Sequence, residues 1–191
     1  MIKLIVGLAN FSSEYFNTRH NIGAWYVEKL MMLYNGQCSL KKENRFYGYT
    51  AKIVLCDFDV RLLIPTTYMN MSGMSVLSIA KFYQLSCDEI LVAHDELDLL
   101  PGRAQLKFSG GYNGHNGIKD IIKKLDNQNF YRLRIGIGRP LRKNSITRFV
   151  LSEPSLQEKK KIDELLIKVV NCTEMILIKN ISGFVQCLNK C

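Results

Sequence analysis

The sequence is poor in several residue types, and each shortage narrows the class of protein. Its 191 residues include three His, four Pro and one Trp. No segment approaches the ~18 uninterrupted apolar residues of a membrane span, and the apolar run at residues 2–9 is too short for a signal peptide with its cleavage region. We therefore expect a cytoplasmic protein with no membrane segment.

The six cysteines also argue against two kinds of site. None belongs to a CxxC pair, and no histidine lies near Cys187 and Cys191, so we expect no metal site. Cysteines scattered through a chain of this length are typical of a reducing compartment.

Three familiar catalytic motifs are missing. There is no G-x-S-x-G, so a serine hydrolase of the α/β-hydrolase type lacks its nucleophile. The glycine-rich stretch 110–117 lacks the Lys-Ser/Thr of a phosphate-binding loop, and 136–138 lacks the third Gly of a dinucleotide fingerprint. No Cys neighbours a His in sequence, although a pair formed in space stays open.

Basic residues outnumber acidic residues, and most of the excess lies in one part of the chain. The 26 Lys and Arg against 17 Asp and Glu give a net charge of +9. Residues 103–148 contain eleven Lys and Arg, with Asp120 and Asp126 as the only acids. Such a basic half fits a nucleic acid bound by its phosphates, or an acidic membrane face. The alternative is an ordinary solvated surface.

The hydrophobic pattern predicts a single α/β domain over residues 1–191. Apolar runs or alternation predict strands, and apolar stripes at helical spacing predict helices. Their interleaving indicates a mixed, mostly parallel, twisted sheet with helices on both faces. The predicted strands are 2–8, 46–55, 58–64, 90–93, 104–108 and 131–138, and the predicted helices are 22–34, 71–84, 117–125 and 155–178.

All three histidines lie in polar stretches beside an Asn or Asp. The pairs are His20–Asn21, His94–Asp95 and His115–Asn116. A carboxylate can fix an imidazole's tautomer and stabilise its charged form, and an amide can bind a substrate without adding charge. Taken singly, the histidines are compatible with structural roles: a helix cap, a strand end and a loop. Together they favour one site with a histidine base.

The order of the elements predicts where that site lies. Ligands of open α/β sheets bind outside the carboxyl ends of strands. Asn10, Asp95, the glycine-rich loop 110–117 and the segment 65–73 each follow a predicted strand. A His–Asp pair with several amides and no evident nucleophile is suited to activating water for hydrolysis.

Five motifs in this order resemble the bacterial peptidyl-tRNA hydrolase family over residues 2–150. They are Gly7-Leu8-Ala9-Asn10 with Tyr15, Thr18-Arg19-His20-Asn21 and Gly23, Met69-Asn70-Met71-Ser72-Gly73, His94-Asp95-Glu96-Leu97-Asp98, Gly110-Gly111 with Gly114-His115-Asn116-Gly117, and Arg132-Leu133-Arg134-Ile135-Gly136-Ile137-Gly138. The resemblance implies a monomeric, cofactor-free esterase that releases peptide and tRNA after premature drop-off from ribosomes. Its substrate would be peptidyl-tRNA, bound through both the acceptor arm and the peptide.

The resemblance also implies roles for individual residues. His20 is the expected general base, Asp95 its orienting carboxylate, and Asn10 the sensor of an N-blocked substrate. The tetrahedral oxyanion also needs a donor, for which the sequence leaves two candidates, Asn10 and a backbone N–H. The expected substrate-binding residues are Tyr15, Asn21, Tyr68, Asn70, His115 and Asn116. The expected phosphate contacts are Lys107 and Arg134.

Two positions depart from the family pattern. Phe11-Ser12 replaces the usual Pro-Gly after Asn10, and Gln105 replaces a frequent Lys. We therefore expect a differently shaped 10–20 loop, and weaker tRNA binding unless Arg103 compensates. A non-catalytic RNA-binding protein and a small-molecule esterase are the alternative functions. The His20–Asp95 pair argues against the first, and the basic half argues against the second.

Overall fold

Seven strands form one mixed sheet in the computed structural model, which describes residues 1–34, 39–55, 57–140 and 145–190. Along the sheet the strand order is β2-β3-β4-β1-β5-β7-β6, and the central strands β4, β1, β5 and β7 run parallel. The outer pairs β2–β3, β3–β4 and β6–β7 are antiparallel. The strands are β1 (Leu4–Gly7), β2 (Lys41–Glu43), β3 (Gly48–Leu55), β4 (Phe58–Pro65), β5 (Ile90–Glu96), β6 (Ala104–Phe108) and β7 (Tyr131–Gly136).

Helices cover both faces of the sheet. They are α1 (Ile22–Leu33), α2 (Ser72–Phe82), α3 (Asn116–Leu125), α4 (Ile146–Val150), α5 (Leu156–Asn171), α6 (Thr173–Leu177) and α7 (Ile181–Lys190). Side chains alternate along β1, so that Ile5 packs with α1 and α5–α7, whereas Leu4 and Val6 pack with α2 and α3. The predicted α/β architecture is confirmed. Among the described helices, none is long and apolar enough to cross a membrane.

The chain after residue 150 differs from the prediction. The single helix expected over 155–178 is broken at Cys172, which ends α5 and precedes α6. Cys172 is joined by a disulfide to Cys187 in α7. The sequence predicted neither this pair nor the short elements β2, α4 and α7, because an apolar stripe does not reveal how the chain folds back on itself. The sequence also predicts that Asn35-Gly36 ends the first helix, but these two residues lie outside the described residues.

The route of the glycine-rich loop also differs from the prediction. Because β6 runs antiparallel to β7, its carboxyl end lies at the edge of the sheet opposite the ends of β1 and β5. Ser109 donates from its backbone to the Phe130 carbonyl at the start of β7. Residues 110–115 therefore run back along the sheet before α3 begins. The loop reaches the predicted site, but not directly from a strand end.

Two glycines let α1 approach the sheet closely. A Cβ on Gly23 would lie 2.2 Å from the Ala93 carbonyl oxygen and 2.6 Å from the Leu8 nitrogen. A Cβ on Gly7 would lie 2.4 Å from the Gly23 carbonyl oxygen. No other residue type fits at either position without a shift of the backbone. This contact sets the first turn of α1, and the turn before it, against the ends of β1 and β5.

Candidate active site

A cavity of about 570 Å³ opens at the carboxyl ends of β4, β1 and β5. Asn21, Lys107 and Arg134 do not line it. Eight of the predicted site residues do: Asn10, Tyr15, His20, Tyr68, Asn70, Asp95, His115 and Asn116. The sheet thus brings together residues up to 106 positions apart in the chain, 10 to 116.

His20 and Asp95 form a buried pair. Nδ1 of His20 lies 2.8 Å from Oδ1 of Asp95, and the two side chains are 11% and 3% exposed. Because a carboxylate accepts, Nδ1 carries the proton and Nε2 is the nitrogen left to react. His20 lies in the 3-10 turn Arg19–Asn21 before α1, and Asp95 lies in the last part of β5.

Arg19 fixes the turn that carries His20. Its guanidinium donates to the carbonyl oxygens of Ser152 and Glu153 at 3.1 and 2.8 Å, and to the Glu158 carboxylate at 2.7 Å. Glu158 in turn belongs to the capping box of α5. The turn is therefore tied to the segment around α4 and the start of α5, which includes the cavity wall Ile146, Thr147, Val150 and Leu151.

Asp95 also accepts a hydrogen bond from a second histidine. Nε2 of His115 lies 2.9 Å from the same oxygen, Oδ1. Burial alone would raise the pKa of the Asp95 carboxyl, but the charge interactions and hydrogen bonds with His20 and His115 hold it well below its usual value. Asp95 is therefore a carboxylate at neutral pH.

His94 packs against this pair without carrying charge. Its Nδ1 lies 2.7 Å from the Asp95 backbone carbonyl, so Nδ1 is the protonated nitrogen. Burial, together with the proximity of His115 and Arg132, lowers the pKa of His94 from 6.5 to about 3, although Asp95 acts in the opposite direction. The ring contacts that of His115 edge to face, with centroids 4.9 Å apart.

Asn10 is held by three hydrogen bonds. Its backbone N–H donates to Oδ1 of Asn21 at 2.8 Å, and Asn21 Nδ2 donates back to the Asn10 carbonyl at 3.0 Å. The Met69 backbone N–H donates to Oδ1 of Asn10 at 2.8 Å. This acceptor role places the amide oxygen of Asn10 toward Met69, and within the described residues Nδ2 donates to no protein group.

Four further predicted residues surround the mouth of the cavity. Tyr68 is 67% exposed, and Asn70 and Asn116 are exposed as well, whereas Tyr15 is half-buried. Asn70 lies in the 3-10 turn Met69–Met71 after β4, and Asn116 is the first residue of α3. Their amides and hydroxyls can meet a polar ligand without adding charge.

Arg132 holds the glycine-rich loop against the sheet. This buried guanidinium donates to the Gly111 carbonyl at 2.6 Å and to the Gly110 carbonyl. Burial and the neighbouring Arg134 lower the pKa of Arg132 to about 10, against the influence of Glu96, so it stays charged at neutral pH. Gly110 has φ +114, a backbone conformation that side chains rarely adopt. Arg132 thereby fixes the loop that ends at His115.

The two expected phosphate contacts have different surroundings. Arg134 Nε donates to Glu96 at 2.8 Å, with the side chains 14% and 6% exposed, and its Nη1 donates to Gln105. Lys107 is exposed on the edge strand β6. Other exposed bases of the basic half are Arg103, Lys119, Lys123 and Lys124, whereas Arg142 and Lys143 lie outside the described residues.

Within the described ranges, His20, Asp95 and His115 are the group whose ligand atoms come close enough for a metal ion, all within 4.8 Å of one another. The nitrogens that face Asp95 are hydrogen-bond donors to its carboxylate. Protons therefore occupy the positions that a cation would take.

A second cavity of about 470 Å³ lies on the other side of Asn10. Phe11 lines it, and its ring contacts Phe16 and Tyr49 with centroids 5.9 and 5.5 Å apart. The aromatic contacts thus anchor the loop at the position where Phe11-Ser12 departs from the family pattern.

Several residues of the site were not predicted. The Met69 backbone amide, the loop anchor Arg132 and the wall from α4 depend on tertiary contacts. Arg19 and Glu96 lay inside the quoted motifs, so their place in the sequence was the available signal.

Comparison with known proteins agrees with this geometry. The peptidyl-tRNA hydrolase family model matches residues 4–191. The peptidyl-tRNA hydrolase of Serratia proteamaculans is 55% identical over 189 residues, 98% of this chain and 95% of the relative, and that of Pectobacterium atrosepticum is 57% identical over 177 residues, 92% and 90%. The crystal structure of the Acinetobacter baumannii enzyme superposes with a TM-score of 0.92 at 41% identity, over 98% of this chain and 94% of that one. With the His20–Asp95 pair in the cavity and matches along nearly the whole chain, this protein belongs to the peptidyl-tRNA hydrolase family.

Proposed function

We propose that this protein hydrolyses the ester between a peptide and the 3′-terminal ribose of tRNA, with His20 as general base. The observation that carries the proposal is the 2.8 Å hydrogen bond from His20 Nδ1 to Asp95 inside the cavity. It leaves Nε2 as the proton acceptor, as a water-activating histidine requires.

The residues support a reaction without a covalent enzyme intermediate. His20 Nε2 takes a proton from water as the water oxygen attacks the ester carbonyl carbon. The Asp95 carboxylate stabilises the resulting imidazolium. Collapse of the tetrahedral intermediate breaks the carbon–oxygen bond to the ribose, and the proton on Nε2 passes to the departing 3′ oxygen. Peptide acid and free tRNA result.

The amides beside His20 supply a peptide subsite. Nδ2 of Asn10 donates to a carbonyl oxygen of the peptide, because Oδ1 already accepts from Met69. Asn70 and Asn116 flank the same mouth, with Tyr15 and Tyr68 as apolar surfaces that carry hydroxyls. Neutral donors and acceptors suit a peptide amide better than a free ammonium group.

A basic surface beside the cavity supplies the tRNA subsite. The N-cap residue His115 and the first residue of α3, Asn116, line the cavity, and the same helix exposes Lys119, Lys123 and Lys124. Lys107 extends the positive surface on β6. Contacts of this kind bind phosphates and are independent of sequence.

The cellular setting follows from the substrate. We place the protein in the cytoplasm, as a monomer, where ribosomes release peptidyl-tRNA. Thiols of that compartment are kept reduced, so we expect the Cys172–Cys187 disulfide of the structure to be replaced by the dithiol in cells. Trapping thiols with iodoacetamide in intact cells tests this: a disulfide recovered under those conditions contradicts the cytoplasmic assignment.

The decisive experiment measures release of an N-acetylated amino acid from tRNA by pure protein in the presence of a chelator. We expect turnover by the wild type. Asp95→Asn and His20→Ala should each lose roughly 10³–10⁴ in rate with the fold intact by circular dichroism. Activity of either variant within a few-fold of wild type identifies another base. An inactive wild type that still binds tRNA supports the RNA-binding alternative.

A further inference from the structure

We propose that His115 is a positioning residue of this reaction and not a substrate contact: the first turn of α3 fixes it as the neutral Nε2–H tautomer, which donates to the Asp95 oxygen that holds His20. The inference rests on the proposed function, because it assigns a role within that reaction.

The cap of α3 fixes the tautomer. Nδ1 of His115 accepts hydrogen bonds from the backbone N–H groups of Gly117 and Ile118, at 3.1 and 3.3 Å. Backbone N–H groups only donate, so Nδ1 carries a lone pair and the proton is on Nε2. A proton on Nδ1 would face two N–H groups and the positive end of the ten-residue helix α3.

Both nitrogens of His115 are consequently occupied. Nδ1 caps α3, and Nε2 donates to Asp95 Oδ1 at 2.9 Å. The side chain is 8% exposed. No polar atom of the ring is left to bind a substrate, which is why its place in the cavity wall does not make it a substrate contact.

The two histidines share one carboxylate oxygen. His20 Nδ1 and His115 Nε2 lie 2.8 and 2.9 Å from Asp95 Oδ1, and their ring centroids are 4.8 Å apart. A second donor fixes the orientation of the carboxylate and takes up part of its negative charge. Asp95 then stabilises a protonated His20 less than it would with His20 as its single partner.

The neighbouring groups do not replace this effect. His94 on β5 is uncharged at neutral pH, as its lowered pKa of about 3 requires. Glu96 on β5 is paired with Arg134 on β7. Arg132, also on β7, donates to loop carbonyls. His115 is therefore the neighbour besides His20 that donates to the Asp95 carboxylate among the described residues.

Two substitutions at His115 distinguish its hydrogen bond to Asp95 from its role as the N-cap of α3. His115→Asn retains a good N-cap residue but removes the donor to Asp95, whereas His115→Ala removes both. We expect His115→Asn to keep the melting temperature and KM of the wild type. Its acid limb in the pH–rate profile should move up by about one pH unit, so that the rate at pH 6 falls about tenfold. His115→Ala should show the same shift and also melt at a lower temperature, since a lost cap destabilises a helix.

Two outcomes overturn the proposal. If His115→Asn raises KM and leaves the pH profile unchanged, His115 is a substrate contact. If both variants keep the pH profile and KM of the wild type and only His115→Ala melts at a lower temperature, His115 is a structural cap alone.

A measurement independent of activity keeps this test separate from the proposed function. Long-range proton–nitrogen NMR of the ¹⁵N-labelled wild type distinguishes the two neutral histidine tautomers from the imidazolium. We expect the His115 ring in the Nε2–H form at pH 7.5. An Nδ1–H or imidazolium signal at that pH refutes the inference even if the enzyme is active, and the expected signal in an inactive protein refutes the proposed function alone.

Discussion

The Met69 backbone amide donates to the side-chain oxygen of Asn10 at 2.8 Å, and this bond orients the amide of Asn10 in the cavity. Met69 directly follows Tyr68, and Asn10 follows β1, so the contact joins segments 59 residues apart. With its oxygen held by Met69, the amide of Asn10 has Nδ2 available to donate to a ligand. In the proposed reaction this donor is the physical basis for discrimination between peptidyl and aminoacyl substrates.

Substitution of Asn10 should reduce the preference for N-blocked over unblocked aminoacyl-tRNA. A site that satisfies a peptide group rejects a ligand lacking it, because its own polar groups are left unpaired, by ~10⁴ or more in favourable cases. Asn10→Ala should narrow the ratio of rates on N-acetylaminoacyl-tRNA and aminoacyl-tRNA. Asn10→Asp should narrow it further, since a carboxylate attracts the ammonium of the unblocked substrate. Both rates and a melting curve are measured for each variant. A ratio that stays unchanged while stability falls shows that Asn10 only completes the end of a strand.

Substitution of the two expected phosphate contacts should change the stability of the protein to different extents. Lys107→Ala should reduce the log–log salt dependence of tRNA binding by roughly 0.7–0.9, because one phosphate contact is lost. Its melting temperature should not change, since Lys107 is exposed. Arg134→Ala should also destabilise the protein, because it leaves buried Glu96 unpaired. The double variant Arg134→Ala with Glu96→Gln should recover stability without recovering the salt dependence.

Hydrolysis of a short peptidyl-nucleoside analogue is the control for this comparison. Lys107→Ala should leave it nearly unaffected. If the analogue and full tRNA respond equally, Lys107 acts in the chemical site and the proposed tRNA surface is wrong.

Gly23→Ala should disrupt the close packing of α1 against the sheet. Its Cβ would lie 2.2 Å from the Ala93 carbonyl, so either α1 or β5 must move, at a cost of about 1–3 kcal/mol or more. Since His20 precedes α1 and Asp95 follows Ala93, catalysis should fall together with stability. Gly111→Ala is the matched control, because its added Cβ meets nothing within 4 Å. Equal unfolding free energies of the two variants by urea denaturation would rule out the close contact at Gly23.

His94 should make the fold sensitive to mild acid. Its pKa is lowered from 6.5 to about 3, so between these pH values the imidazole is protonated in the unfolded chain but neutral in the folded protein. The contribution of neutral His94 to the free energy of unfolding is fully present above pH 6.5 and is lost as the pH falls toward 3. Between pH 7 and pH 5 the expected loss is about 2 kcal/mol. His94→Gln should lose correspondingly less over that interval in urea denaturation. The same loss in both proteins would show that His94 is protonated in the folded state.

Much of the fold was predictable because its central elements carry strong local patterns. The apolar runs around β1 and β5 and the stripes of α1 and α3 predict their own structure. The carboxyl ends of parallel strands then meet at one edge, which is why Asn10 and Asp95 were expected to lie together.

Features that depend on a partner element elsewhere in the chain were not predicted. The direction of β6 depends on how the chain returns to pair with β7, and alternation along a strand is the same in either direction. The break at Cys172 likewise depends on the packing of α7 against the rest of the chain. Sequence patterns describe faces of an element but not the partner that covers them.

The sequence alone determined the fold class, the family resemblance and the set of polar residues at the strand ends, because these depend on residue type and order. Only the tertiary structure decided how each of those residues is used. It turned Asn21 toward the Asn10 backbone, paired Arg134 with Glu96 and put both ring nitrogens of His115 to use. The physical reason is that a hydrogen bond joins specific atoms within about 3 Å, and residues far apart in the chain are brought to that distance only when the helices and strands pack together.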